Sequence, residues 1–241
     1  MLRTTLLTVA GLAAVANAGI FSFASDTSDQ SWTFTGGFHA GHFAIEDGTG
    51  LGDPTTLLID DANGVLDPLA YSVDFNFHAH FGFLSSTPIG GGKYLHSYIV
   101  EEGDAGWYTD TGPVLEMVID GSIVTVVGGQ FSWDSSGSIF GSDSWAGVQY
   151  TSYINEPDYG MYVGDSVGPQ DFSFSMSTIN SSGVIPYDFS SPGAALDPQT
   201  MMPLDDVFAE GSFSGSAQFV PTPGAVSLLA GAGLLGFRRR R

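Results

Sequence analysis

Between Ala70 and Phe83 the side chains alternate: Tyr71, Val73, Phe75, Phe77, Ala79, Phe81 and Phe83 share one parity, and Ser72, Asp74, Asn76, His78 and His80 the other. In a helix such spacing scatters the rings around the axis. In a strand it gathers them on one face, because successive Cβ atoms point to opposite sides. The segment therefore predicts a long strand with one face in a core and one in solvent. Any fold for this chain has to bury that aromatic face.

The rest of the chain repeats the pattern in shorter pieces. Further strands are predicted at Trp32–Phe34 with Phe38, Phe43–Ile45, Thr55–Ile59, Lys93–Val100, Gln130–Trp133, Trp145–Ile154, Asp171–Ile179 and Ser212–Val220. Pro113–Val127 reads as a hairpin turning at Asp120-Gly121, with Leu115, Met117 and Ile119 opposite Val126, Val124 and Ser122. Glu101–Thr111 and Asn180–Asp206 read as long loops. No helical periodicity and no fixed 20–50-residue repeat is found. The predicted fold is all-β: an antiparallel, jelly-roll-like β-sandwich of about nine strands rather than a closed barrel.

Charge narrows the function. All 26 acids lie between Gly19 and Phe219 with a single base, Lys93, for a net −25. A body so acidic is repelled by phosphate backbones and anionic lipid, which excludes nucleic acid as a partner. With 43% hydrophobic and 13% aromatic residues the chain nevertheless has material for a packed core.

The other five bases sit at the two ends. Arg3, the apolar stretch Leu6–Val15 and the Ala16-Asn17-Ala18 triplet make an export signal over residues 1–18, with cleavage between Ala18 and Gly19. There is no cysteine, so the exported body, residues 19–219, can hold no disulfide, thiol nucleophile or zinc thiolate. At the other end Val220-Pro221-Thr222-Pro223 precedes the uncharged stretch Gly224–Phe237 and the cluster Arg238, Arg239, Arg240, Arg241. A helix over Gly224–Phe237 covers about 21 Å against a hydrocarbon core of roughly 30 Å, so it is a short apolar helix with its arginines on the cytoplasmic side.

This tail, residues 220–241, resembles the PEP-CTERM sorting signal of exported bacterial proteins, with Thr222 standing where the usual motif has Glu. The resemblance implies an exosortase-type membrane enzyme as partner. It also implies a precursor tethered transiently to the inner membrane, and a setting rich in extracellular polysaccharide. Gly231, Gly233 and Gly236 spell a dinucleotide fingerprint, but no strand precedes it and no strand–helix unit follows.

Candidate chemistry within the body is thin. His78 and His80 fall on one strand face near Asp74 and can hold a metal if a neighbouring strand adds a ligand. Asp60, Asp61, Asn63 and Asp67 surround a turn and offer oxygen ligands to Ca²⁺, although Asx turns use the same residues. Gly164-Asp165-Ser166-Val167-Gly168 matches a nucleophile elbow without the helix that elbow needs. Trp107, Tyr108, Tyr159 and Tyr162 are available to stack on sugars or to close the ends of the fold. No catalytic residue and no cofactor is assigned. The expected role is a non-enzymatic surface or matrix protein that binds polysaccharide, with a secreted hydrolase as the alternative.

Overall fold

The computed structural model describes residues 18–24, 32–35, 42–47, 55–61, 63–142, 147–181 and 193–220. The expected signal upstream of Ala18 and the tail beyond Val220 lie outside these residues. Among those described there is no α-helix, only a 3-10 turn at Pro157–Tyr159, and no helix long and apolar enough to cross a membrane. Over the described residues the protein is all-β.

The alternating segment is the spine of the fold. It forms β5 (Leu69–Gly90), preceded by β1 (Ala18–Ala24), β2 (Trp32–Thr35), β3 (His42–Asp47) and β4 (Thr55–Asp61). Val73, Phe75, Phe77, Ala79 and Phe81 are buried and the residues between them face outward. Beside β5 lies β6 (Lys93–Thr109), reached through a glycine turn at Gly90–Gly92. The strands that follow are β7 (Gly112–Ile119), β8 (Ile123–Gly128), β9 (Ser132–Trp133), β10 (Gly137–Ser142), β11 (Gln149–Ser152), β12 (Gly164–Asp165), β13 (Asp171–Asn180), β14 (Ala194–Ala195) and β15 (Val207–Gln218).

Two local expectations are overturned. Glu101–Thr111 is not a loop but mostly the second half of β6, hidden in the sequence by a bulge. Phe81 pairs with Val100 and His80 with Glu102, so Glu101 is the extra residue and the alternation changes parity there. Nor do β7 and β8 form a hairpin. Both lie along the same edge of β6, β7 beside Gly103–Thr109 and β8 beside Tyr94–Ile99. Asp120-Gly121-Ser122 is a kink in a continuous path, held where Gly121 N–H donates to Val100 O (2.9 Å) and Val100 N–H to Ser122 O (2.7 Å). Gly121, at φ 80°, supplies the left-handed step.

Every pairing between named strands is antiparallel. Thirteen strands join into one sheet rather than into two separate ones. The ladder runs β5–β6–β8–β10–β13–β15–β1–β4 and returns to β5, with a second return through β2 and β3, so the paired strands close on themselves where the sequence pointed to an open sandwich. The long strands β5, β6 and β15 thereby enclose one aromatic core. Trp107 lies 4.9 Å from the rings of both Phe75 and Phe213, Phe77 lies 6.0 Å from Phe174, and Phe21 lies 5.2 Å from Tyr150. Each fully buried ring of this kind stabilises the fold by about 2–3 kcal/mol through area removed from water.

Candidate functional site

The alternation that buries Trp107 turns Tyr108 outward. At Tyr108 the register of β6 against β7 slips, and Tyr108 stands opposite Asp74 on β5 and Pro113 on β7. Its ring folds back along the strand over Gly106, where a Cβ would collide with it. Glycine leaves room for the ring to lie there, and a larger residue would push it aside. Opposite Gly106 on β7 is Glu116, whose carboxylate accepts from Tyr108 Oη at 3.2 Å and from Tyr153 Oη at 2.5 Å.

One carboxylate thus holds two phenols on an outward sheet face. The bond to Glu116 pushes the Tyr153 phenol up to about 12, and burial followed by the Glu116 charge raises that of Tyr108. The next position across the sheet is Thr151 on β11, then Asp165 on β12, joined by a Thr151 Oγ1 to Asp165 Oδ1 bond of 2.8 Å. Val118 on β7 and Tyr153 are 56% and 42% exposed, so apolar surface borders the polar row. The arrangement suits flat, hydroxyl-bearing ligands: ring faces to stack on, oxygens to accept hydrogen bonds.

The other candidates fare differently. His78 and His80 do face outward together, ring centroids 4.8 Å apart, with His78 Nδ1 3.8 Å from Asp104 Oδ1 on β6. Asp74 is not their neighbour but stands opposite Tyr108. Among the described residues no three His, Asp or Glu side chains are placed to hold a metal ion. His96 is buried on the inner side, its Nε2 2.8 Å from Gly129 O. His42 stands opposite Gly82, and His39 lies outside the described residues.

The Asp60–Asp67 segment is an Asx turn. Asp61 is buried and its carboxylate accepts from the N–H groups of Asn63 (3.2 Å), Val65 (2.9 Å) and Leu66 (3.0 Å). These bonds, that from Leu66 foremost, hold its carboxyl below the ordinary 3.8. Asn63 and Asp67 are exposed, and Asp60 points to the other side of β4 from Asp61. The oxygens expected for Ca²⁺ therefore do not converge. Ser166 is likewise engaged. It is 8% exposed, accepts from Tyr150 N–H at 3.0 Å and donates to Gln170 Oε1, where a nucleophile would need a base.

Of the four aromatics offered for sugar stacking, Trp107 is fully buried, and Tyr159 and Tyr162 pack against the core. Only Tyr108 lies on an outward sheet face. Tyr153 carries no such signal, because nothing in the sequence shows that it bonds Glu116 across 37 residues.

The expected processing points also find places. Gly19 is inside the fold, where a Cβ would come within 2.7 Å of Met161 Sδ. Ala18 pairs with Gln218, two residues before Val220. The motif residues Pro221, Thr222 and Pro223 and the arginines Arg238–Arg241 lie outside the described residues. Comparison with protein families, with curated proteins and with solved structures found no match.

Proposed function

We propose that this chain is an exported cell-surface or matrix-associated protein that works by binding, not catalysis. In this reading a signal over residues 1–18 exports it. A PEP-CTERM-like tail over residues 220–241 then tethers it to the inner membrane until an exosortase-type enzyme acts. The body, residues 19–219, is the all-β unit whose ligand is extracellular polysaccharide.

The observation that carries this reading is the pairing of Ala18 with Gln218. Because β1 and β15 are antiparallel, the first residue of β1 and the last of β15 lie paired at the same end of the body. A membrane-bound signal and a membrane-bound tail can then both engage the bilayer without unfolding the sheet between them. The engaged state of Ser166 supports binding over hydrolysis.

The test is a glycan screen of the exported protein beside a panel of ester and glycoside substrates. Retention on glycans with no turnover is expected. Turnover that Ser166→Ala abolishes would replace this reading with a secreted hydrolase.

A further inference from the structure

We infer that the outward face of β6, β7 and β11 around Tyr108 and Glu116 binds a cationic polysaccharide, an amino-sugar polymer bearing free ammonium groups. This rests on the matrix-binding reading above and adds the ligand's class and its site.

The aromatic surface is prepared before any ligand arrives. Gly106 lets the Tyr108 ring lie back over the strand, and Glu116 holds both phenol oxygens, at 3.2 and 2.5 Å. A ring already fixed loses little entropy when a pyranose settles on its exposed side. The same ring face attracts an ammonium group through its quadrupole.

The charges around it select among sugars. Glu116 touches the ring, Asp74 stands opposite Tyr108, Asp104 opposite His78, and Asp165 ends the row beyond Thr151. Apart from His78 beside Asp104, no cationic side chain of the body balances them. Lys93, the single Lys or Arg of the body, is already bonded to both oxygens of Asp134, at 2.9 and 2.6 Å. A polyuronate meets repulsion here, a neutral glycan finds stacking and hydrogen-bond acceptors without opposite charge, and a polymer of glucosamine finds all three together.

The test uses the full chain and three immobilised polymers: partly deacetylated poly-N-acetylglucosamine, its fully acetylated counterpart and a polyuronate, all with EDTA present. The deacetylated polymer should bind at least about tenfold tighter than the acetylated one, and the polyuronate should not bind. Raising NaCl from about 0.1 to 1 M shortens the screening length from about 10 to 3 Å, and should cost about tenfold in affinity. Tyr108→Ala and Gly106→Ala, which remove or displace the ring, should each weaken binding about tenfold. Polylysine serves as the control for plain ion exchange.

Equal binding of the acetylated and deacetylated polymers would overturn the charge argument while leaving polysaccharide binding in place. Polylysine retained as tightly as the amino sugar, with Tyr108→Ala making no difference, would overturn the platform. Retention on no glycan at all would remove the inference and the reading beneath it. Should a variant fail to fold, the comparison of polymers on the unaltered chain decides.

Discussion

Tyr98 offers a sharp test of how the irregular segment 193–203 is held to the sheet. The residue is fully buried on β6, and its hydroxyl accepts from Trp133 Nε1 at 2.9 Å and donates to Met201 O at 2.7 Å. Burial keeps the phenol well above its ordinary range, so it stays a donor at neutral pH. Tyr98→Phe keeps the ring and its edge-on packing against Trp133, 5.6 Å between centroids, and removes only the oxygen. The indole N–H and the Met201 carbonyl then lose this partner while remaining inside. A buried polar group deprived of its bond costs about 1–3 kcal/mol, so the pair should cost about 2–6 kcal/mol. At about 2–4 °C per kcal/mol for a domain of this size, Tm should fall by about 4–24 °C. Tyr153→Phe is the matched control, the same chemical change on a 42%-exposed ring whose partner water can reach. It should cost under about 1 kcal/mol. Thermal unfolding followed by tryptophan fluorescence and far-UV circular dichroism gives both numbers. A Tyr98→Phe shift no larger than that of Tyr153→Phe would refute the buried link.

Burial lifts the phenols of Tyr71, Tyr98, Tyr108, Tyr150 and Tyr159 above 10.0, and Glu116 lifts Tyr153 to about 12. Raised pKa values give stability that is complete below pH 10 and lost as pH rises beyond it. Urea unfolding should therefore weaken steadily from pH 10 to 12, and a flat profile there would contradict the burial. Asp61 has the opposite sign: its lowered pKa gives stability present above 3.8 and lost as pH falls below it. Asp61→Asn should blunt that acid limb, and CaCl₂ should raise Tm no more than NaCl of matched ionic strength. Ser166→Ala removes a buried hydroxyl bonded to Tyr150 and Gln170, and should cost about 1–3 kcal/mol in a melt while leaving esterase assays unchanged.

The strand class was legible because β5 is buried on one side only, and one-sided burial prints a period of two on the sequence. What the sequence concealed were the bulges. At Glu101 a single extra residue shifts the parity, so two acids and a glycine read as loop although Gly103, Ala105 and Trp107 continue the inner face. At Asp120-Gly121 a parity shift of the same size suits either a two-residue hairpin turn or a kink. Which of them forms depends on whether a distant edge, here β6, is long enough to take both strands. The return from β15 to β5 rests on pairings that span most of the chain, which local pattern cannot carry. The platform was half visible. Tyr108 was recognisable as an aromatic with a chance of exposure, but its seat on Gly106 and its link through Glu116 to Tyr153 exist only once β7 and β11 are in register.

In the reading proposed above, both ends of the chain are addresses, and the body between them has the start of β1 and the end of β15 at one pole. Intact-mass and terminal-peptide mass spectrometry of the protein recovered from the cell exterior tests it directly. The expected product begins at Gly19, ends near Val220-Pro221-Thr222-Pro223 and lacks Arg238–Arg241. Recovery of chains that still carry Arg241, or that begin upstream of Ala18, would contradict it.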